Sequence, residues 1–233
     1  MPDVVYGRHP VQEALRGRRR VREIATNVRG ADAAWLADAG VPTRVVSRDE
    51  LDALAGSPDH QGVVARVDPY PYADADDLVA GERPLVLALD GITDPQNLGA
   101  IARVAECAGA NGLVLPRHRA AHVTAAVCRA SAGAVEHLPI AVVPNLADWL
   151  LEVRRPGLWT YAADAGASLD YTAADLADGS VIVVGAEGKG VRPRVREACD
   201  AVVGIPLQGR IESLNAGTAA AILAFEAARQ RRL

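Results

Sequence analysis

Aromatic side chains are scarce in this 233-residue chain: Phe, Tyr and Trp make up 4% of it, with a single Phe. A hydrophobic content of 50% must therefore be built from Val, Leu, Ile and Ala, and no set of rings stands out for stacking nucleic-acid bases. Lysine is nearly absent. Lys189 is the only one, so the basic residues are almost all arginine. A formal charge of −4 and a pI near 5.7 exclude a globally basic nucleic-acid binder, though not a local basic patch. Cys107, Cys128 and Cys199 are odd in number and lack a CxxC pairing, which argues for reduced, buried thiols and against disulfide or metal roles. His9, His60, His118, His122 and His137 form no pair at metal-ligand spacing backed by Cys or Glu, so no metal is expected. No apolar run approaches about 18 residues, and the first residues lack a charged stretch followed by an apolar one. A soluble, cytoplasmic protein with no membrane partner is the expectation.

What is present divides the chain in two. Residues 1–68 read as a compact α/β unit. It has a short helix over Val11–Leu15, strands at Val21–Thr26, Val41–Val46 and Gly62–Val67, and a helix over Ala31–Ala39 closed by Gly40. Ser47 and Glu50 have the spacing of a capping box. Residues 69–82, with two prolines and an acidic run, read as a linker. From residue 83 to 233 near-continuous apolar strands alternate with helices, the pattern of a parallel sheet covered on both faces. The strands are expected at Leu85–Leu89, Gly112–Leu115, Leu138–Val142, Leu158–Ala162, Val181–Val184 and Ala201–Ile205. The helices are expected at Leu98–Gly109, His122–Ala130, Leu146–Arg154, Pro193–Cys199 and Leu214–Arg229.

Three polar, glycine-bearing segments fall where ligands bind such sheets, beyond the carboxyl ends of strands. They are Asp90-Gly-Ile-Thr-Asp-Pro-Gln-Asn97 with Arg103 downstream, Gly185-Ala-Glu-Gly-Lys-Gly190, and Ile205-Pro-Leu-Gln-Gly-Arg-Ile-Glu-Ser-Leu-Asn215. None has the glycine spacing of a dinucleotide fingerprint or a P-loop. Each has a bland reading beside a functional one. Asn97 reads as a helix N-cap or a site amide, and Ser213 as a cap of the last helix or a site hydroxyl. Glu187 reads as part of a turn, or as a carboxylate among glycines that admit a ligand. Arg103 reads as a solvated helix residue, though its small, apolar neighbours favour a placed role. Asn215, in an apolar stretch, needs partners if buried. In the small unit, Arg16, Arg18, Arg19, Arg20 and Arg22 form a run that reads either as a solvated loop or as a phosphate-contacting patch.

Taken in order, Asp94-Pro-Gln-Asn97-Leu-Gly-Ala with Arg103, Val184-Gly-Ala-Glu-Gly188, and Ile205-Pro-Leu with Ser213-Leu-Asn215 resemble the motifs of the SpoU/TrmH class of RNA ribose 2′-O-methyltransferases, in the SPOUT superfamily. Val5-Tyr-Gly-Arg-His-Pro-Val-Gln-Glu-Ala-Leu15 and His60-Gln-Gly-Val-Val-Ala-Arg66 resemble the L30e-like RNA-binding domain of family members. The resemblance implies a small L30e-like α/β amino-terminal domain followed by an α/β domain with a parallel sheet and a deep carboxyl-terminal trefoil knot. It implies S-adenosylmethionine as methyl donor, without metal, and a homodimer acting on RNA. A guanosine ribose in 23S rRNA is the expected target; a tRNA or a resistance-type rRNA site, and a non-catalytic assembly factor, are the alternatives.

By the same resemblance Arg103, Asn97, Glu187, Ser213 and Asn215 form the catalytic set. Gly185, Ile205, Leu214, Glu187 and Gly188 surround the cofactor. Arg8, Arg16, Arg18, Arg19, Arg20, Arg22 and Arg103 contact RNA. Family proposals make Arg103 a base, but a guanidinium in a protein is hardly ever deprotonated, so a phosphate and oxyanion clamp is an equally good reading. One departure is Ala216-Gly217-Thr218, where relatives often have Val-Ser-Val or Ala-Ser-Val. Gly217 costs the helix about 1 kcal/mol relative to Ala and points to close packing.

Overall fold

The computed structural model of the chain describes residues 3–232. The first unit holds β1 (Asp3–Tyr6), α1 (Arg8–Arg16), β2 (Val21–Thr26), α2 (Ala34–Ala37), β3 (Thr43–Val45), α3 (Arg48–Ala55) and β4 (Val63–Val67). Its sheet runs β1-β4-β2-β3, with β4 antiparallel to both neighbours and β2 parallel to β3. Ser47 caps α3 as its spacing suggests: its Oγ accepts from Glu50 N at 3.2 Å, and Gly56 closes the helix in the left-handed region. The expected helix over Ala31–Ala39 is shorter, a 3₁₀ turn at Gly30–Ala33 leading into α2.

The second unit begins inside the expected linker. Residues 69–82 carry α4 (Ala75–Val79), capped by Asp74, whose Leu78 and Val79 are buried, and Ala73 bridges to Ala141. The acidic run that suggested a solvated spacer is the N-cap and first turn of this helix, where carboxylates meet free N–H groups. There follow β5 (Leu85–Asp90), α5 (Pro95–Cys107), β6 (Gly112–Pro116), α6 (Ala125–Ala130), β7 (Ile140–Val143), α7 (Leu146–Glu152), β8 (Leu158–Ala163), β9 (Leu169–Asp170), β10 (Gly179–Gly185), α8 (Pro193–Glu197), β11 (Ala201–Gly204) and α9 (Ala216–Gln230). All seven strands are parallel to their neighbours, in the order β7-β6-β5-β10-β8-β11-β9.

Strand periodicity sorts the core. Leu85, Leu87 and Leu89 of β5, with Ile182 and Val184 of β10, face the layer of α5, α6 and α9. Val86 and Ala88, with Val181 and Val183, face the layer of α4, α7 and α8. Both faces are covered, which is why these strands read as unbroken apolar runs. At the far end of α9, Arg231 donates to the carbonyl oxygens of Leu176, Arg83, Pro84 and Asp178 and to Ser180 Oγ, over 2.7–3.0 Å, and so fastens the helix to the entry of β5 and β10.

The two units share one hydrophobic cluster, in which Val5, Val11 and Val63 join Val127, Val135 and Leu138. Set into that junction is a buried ion pair between Arg19 and Glu136, with side chains 3% and 0% exposed. Arg19 Nε donates to Glu136 Oε2 at 2.9 Å and Nη2 to Cys128 Sγ at 3.2 Å, and the guanidinium lies 5.4 Å from the Tyr70 ring centre. Burial works against the Arg19 charge, and the hydrogen bond and charge of Glu136 more than offset it, so its pKa rises. Burial pushes the Cys128 thiol up to about 12; of the three thiols expected to be buried, Cys128 is, Cys199 is half-buried, and Cys107, at the last turn of α5, is exposed. Arg18 Nη2 donates to Leu138 O at 2.7 Å.

Candidate active site

The site is built where β5, β8, β10 and β11 end. Asp90, the last residue of β5, pairs in register with Gly185, the last of β10. Its carboxylate is buried, and a buried charge must be paired. Asp90 Oδ2 accepts from Arg192 N at 2.8 Å and Oδ1 from Arg192 Nε at 2.7 Å. One ion pair thus fastens the start of the first polar segment to the end of the second. Asp90 lies outside the residues expected to act; a carboxylate closing an all-apolar strand is its signal in the sequence.

The second segment folds on itself. Gly190 N donates to Ala186 O at 2.8 Å, and a β-carbon on Gly185 would stand 2.1 Å from Gly190 C. Gly185 is therefore glycine because its own loop crosses over it, not to admit a ligand. Gly188 (φ +71) supplies the left-handed turn that carries Glu187.

The third segment, residues 205–215, has no regular structure and ends on α9. The cap of α9 is Asn215, whose Oδ1 accepts from Thr218 N at 3.2 Å, so the capping role offered to Ser213 does not hold. Nor does Asn97 cap its helix. Asp94 does, accepting from Gln96 N at 2.9 Å, which frees the amide one turn in. Gly217 is buried, and a β-carbon there would lie 3.3 Å from Ala100 of α5, so the glycine allows α9 to approach α5 closely.

These devices bring three side chains to one point. Asn97 Nδ2 donates to Glu187 Oε1 at 2.8 Å, and Asn215 Nδ2 donates to Glu187 Oε1 at 2.5 Å and to Asn97 Oδ1 at 3.0 Å. Asn215 is exposed rather than buried, so its partners are a built contact and not a burial requirement. Glu187 Oε2 has no protein donor among the described residues.

Beside this junction lies a cleft of about 290 Å³ lined by Gly185, Glu187, Gly188, Ile205, Ser213 and Leu214, all named from the sequence. Asp164, Val203, Leu207 and Glu212 also line it and were missed; Asp164 and Val203 lie at strand ends outside the motifs. The walls combine aliphatic side chains with carboxylates and unpaired loop backbone. That chemistry suits a ligand with an apolar ring and positive charge.

Arg103 is not part of this cluster. Six residues along a helix turn the side chain by about 240° and advance it by about 9 Å. Arg103 is exposed, has no ion pair among the described residues, and sits one turn after Gly99, on the flank packed against Ala130 of α6. In the arginine run, Arg19 is a correction: it is buried in the ion pair with Glu136 and cannot meet RNA. Arg22 pairs with Asp68 and Arg16 with Glu13, while Arg8 and Arg20 are exposed. No group of three or more His, Cys, Asp or Glu that could hold a metal occurs among the described residues.

The model of the SpoU rRNA Methylase family matches residues 84–225, and that for RNA 2′-O ribose methyltransferase substrate binding matches residues 4–73. A Bacillus subtilis protein described as putative TrmH family tRNA/rRNA methyltransferase YacO is 39% identical over 240 residues, spanning 98% of this chain and 96% of its own. The crystal structure of the SpoU methyltransferase AviRb from Streptomyces viridochromogenes in complex with AdoMet superposes with a TM-score of 0.84 at 30% identity, covering 98% of this chain and 90% of that one. An AdoMet-bound rRNA methyltransferase from Sinorhizobium meliloti gives 0.83 at 27% identity, over 97% and 87% of the two chains.

Proposed function

Because the chain belongs to the SpoU rRNA methylase family, we propose that this S-adenosylmethionine-dependent RNA 2′-O-ribose methyltransferase acts on a guanosine of 23S rRNA, as a cytoplasmic homodimer. The observation that carries the site assignment is the Asn97–Glu187–Asn215 junction beside the cleft. It ties the first turn of α5, the loop after β10 and the cap of α9 into one wall.

S-adenosylmethionine supplies, when bound, a methyl group on a sulfonium, an activated leaving group that needs no metal. The residues present fit that donor. Val203, Ile205, Leu207 and Leu214 offer an apolar wall for a purine, and Asp164, Glu187 and Glu212 offer carboxylates for positive charge. The protein's tasks are to hold the ribose oxygen in line with the methyl carbon and to manage a weakly acidic hydroxyl. Ser213 and Asn215, at the carboxyl end of the third segment, position the cofactor loop and the target ribose. Arg103 serves as a clamp on the substrate phosphate and the developing oxyanion.

Arg103 lies outside the cleft of its own chain, and α9 exposes Phe225 (44%) beside half-buried Ile222. Both features favour the homodimer, with RNA bound across two subunits. The amino-terminal unit, which matches the substrate-binding model, is assigned the rRNA grip.

The test is methyl transfer from labelled S-adenosylmethionine to 23S rRNA and, separately, to tRNA, with the product nucleoside identified after digestion. Label in 2′-O-methylguanosine from rRNA alone is the expected result; label in tRNA alone overturns the target. Arg103→Ala should lose transfer by about 100-fold or more while binding the cofactor as before by calorimetry. Loss of cofactor binding in that variant would show a structural role instead.

A further inference from the structure

Between Glu106 and Glu136 the chain contains no Asp or Glu, although the protein as a whole is acidic. The same stretch contains Arg117, His118, Arg119, His122 and Arg129. A second acid-free stretch, Val4–Gln12, contains Arg8 and His9. The fold lays the two side by side: β1 and the start of α1 run along α6, and Ala125 packs on the Tyr6 and Val64 cluster. Arg129 crosses from one unit to the other, its Cδ 3.2 Å from where a β-carbon of Gly7 would stand. Gly7 (φ +95) leaves that passage open, next to Arg8.

At the other end of this band, the loop after β6 presents Arg117, His118 and Arg119, all exposed and with no carboxylate partner among the described residues. The loop is held rather than loose. Arg117 N donates to Val143 O at 2.8 Å, Ala121 N to Ile92 O at 2.8 Å, and Val123 N to the Tyr72 hydroxyl at 3.0 Å. The bond to Ile92 sets it against the first polar segment of the methyl-transfer site. Arg119 is kept at φ +58, a conformation uncommon outside glycine. Asp3 is a carboxylate on this face, in the groove beside Val123 and Thr124.

We propose that Arg117 and Arg119, with Arg129 and Arg8, form a track for the RNA phosphate backbone, running from the amino-terminal unit along α6 to the methyl-transfer site. Stiffly mounted arginines without protein partners suit phosphates, since they give up no existing ion pair on binding. The track replaces much of the arginine run 16–22, whose cations are partly consumed by the fold. This inference rests on the reading of the protein as an RNA methyltransferase.

The experiment measures affinity for a fluorescently labelled ribosomal RNA stem–loop as a function of salt, for the full chain and for Arg117→Ala/Arg119→Asn, Asn being tolerant of the left-handed conformation. Arg129→Gln is the second variant, and thermal melting checks folding of both. Each lost phosphate contact lowers the slope of log K against log salt by about 0.7–0.9. The double variant should lose about 1.4–1.8 in slope and at least about tenfold in affinity at low salt, with cofactor affinity unchanged. Wild-type slope and affinity within about twofold in both folded variants would overturn the track alone. A wild-type protein that binds no ribosomal RNA would overturn the RNA reading, and the track with it.

Discussion

Removing the Arg19 side chain tests whether this arginine belongs to the fold or to RNA. In Arg19→Ala the Glu136 carboxylate stays in place, fully buried, without its partner. Breaking a buried pair in this way costs about 3–5 kcal/mol, and loss of the guanidinium over Tyr70 adds about 0.5–1 kcal/mol. About 5 kcal/mol is a large part of the 5–15 kcal/mol typical of a folded domain. With a urea m-value of about 3 kcal/mol/M for a chain of this size, the midpoint should fall by about 1.6 M. The paired replacement Arg19→Met with Glu136→Leu removes both charges and should return to within about 1 kcal/mol of wild type or exceed it. Equilibrium urea unfolding, followed by circular dichroism, reads both. A loss below about 1 kcal/mol in Arg19→Ala would mean the pair is open to water and the reasoning wrong. If the paired variant folds but loses about one unit of salt slope in RNA binding, Arg19 contacts phosphate after all.

Two further outcomes probe the site. Gly185→Ala places a methyl 2.1 Å from the backbone of Gly190, so the loop carrying Glu187 must move; cofactor affinity by calorimetry should fall by at least about tenfold, with a lower melting temperature. Asn215→Ala removes the cap of α9 and one arm of the junction with Glu187. It should cost about 1 kcal/mol of stability, yet reduce methyl transfer far more than that loss explains, whereas equal modest effects on both would make Asn215 a cap and nothing else.

Where packing and local chemistry agree, the elements were legible from the sequence. Strands β5, β6 and β10 were found to within two residues at either end because both their faces are buried and the apolar run has no other explanation. Ser47 was found because its cap is local. Three elements were missed for physical reasons. β1 is short and begins on an exposed residue, β9 is a two-residue edge, and α4 hides behind prolines and an acidic run that also describe a spacer. The site followed the same rule. Residues in motif order were located, but Asp90 and the apolar walls acquire meaning only through contacts distant in sequence, such as Asp90 with Arg192. The arginine run misled because composition cannot tell a solvated guanidinium from one folded against Glu136.

Arg231 places a time constraint on how the chain is made. The carbonyl of Arg83 that it grips precedes it by 148 residues, which at about 5–20 residues per second is about 7–30 s of translation. Throughout that interval the entry of β5 is without its closing hydrogen bonds, and β10, its central partner, has yet to be synthesised for most of it. The parallel core therefore passes through a long stage with open apolar strand edges, when pairing between nascent chains is the main hazard. The amino-terminal unit escapes this constraint, because its own sheet is complete by Val67.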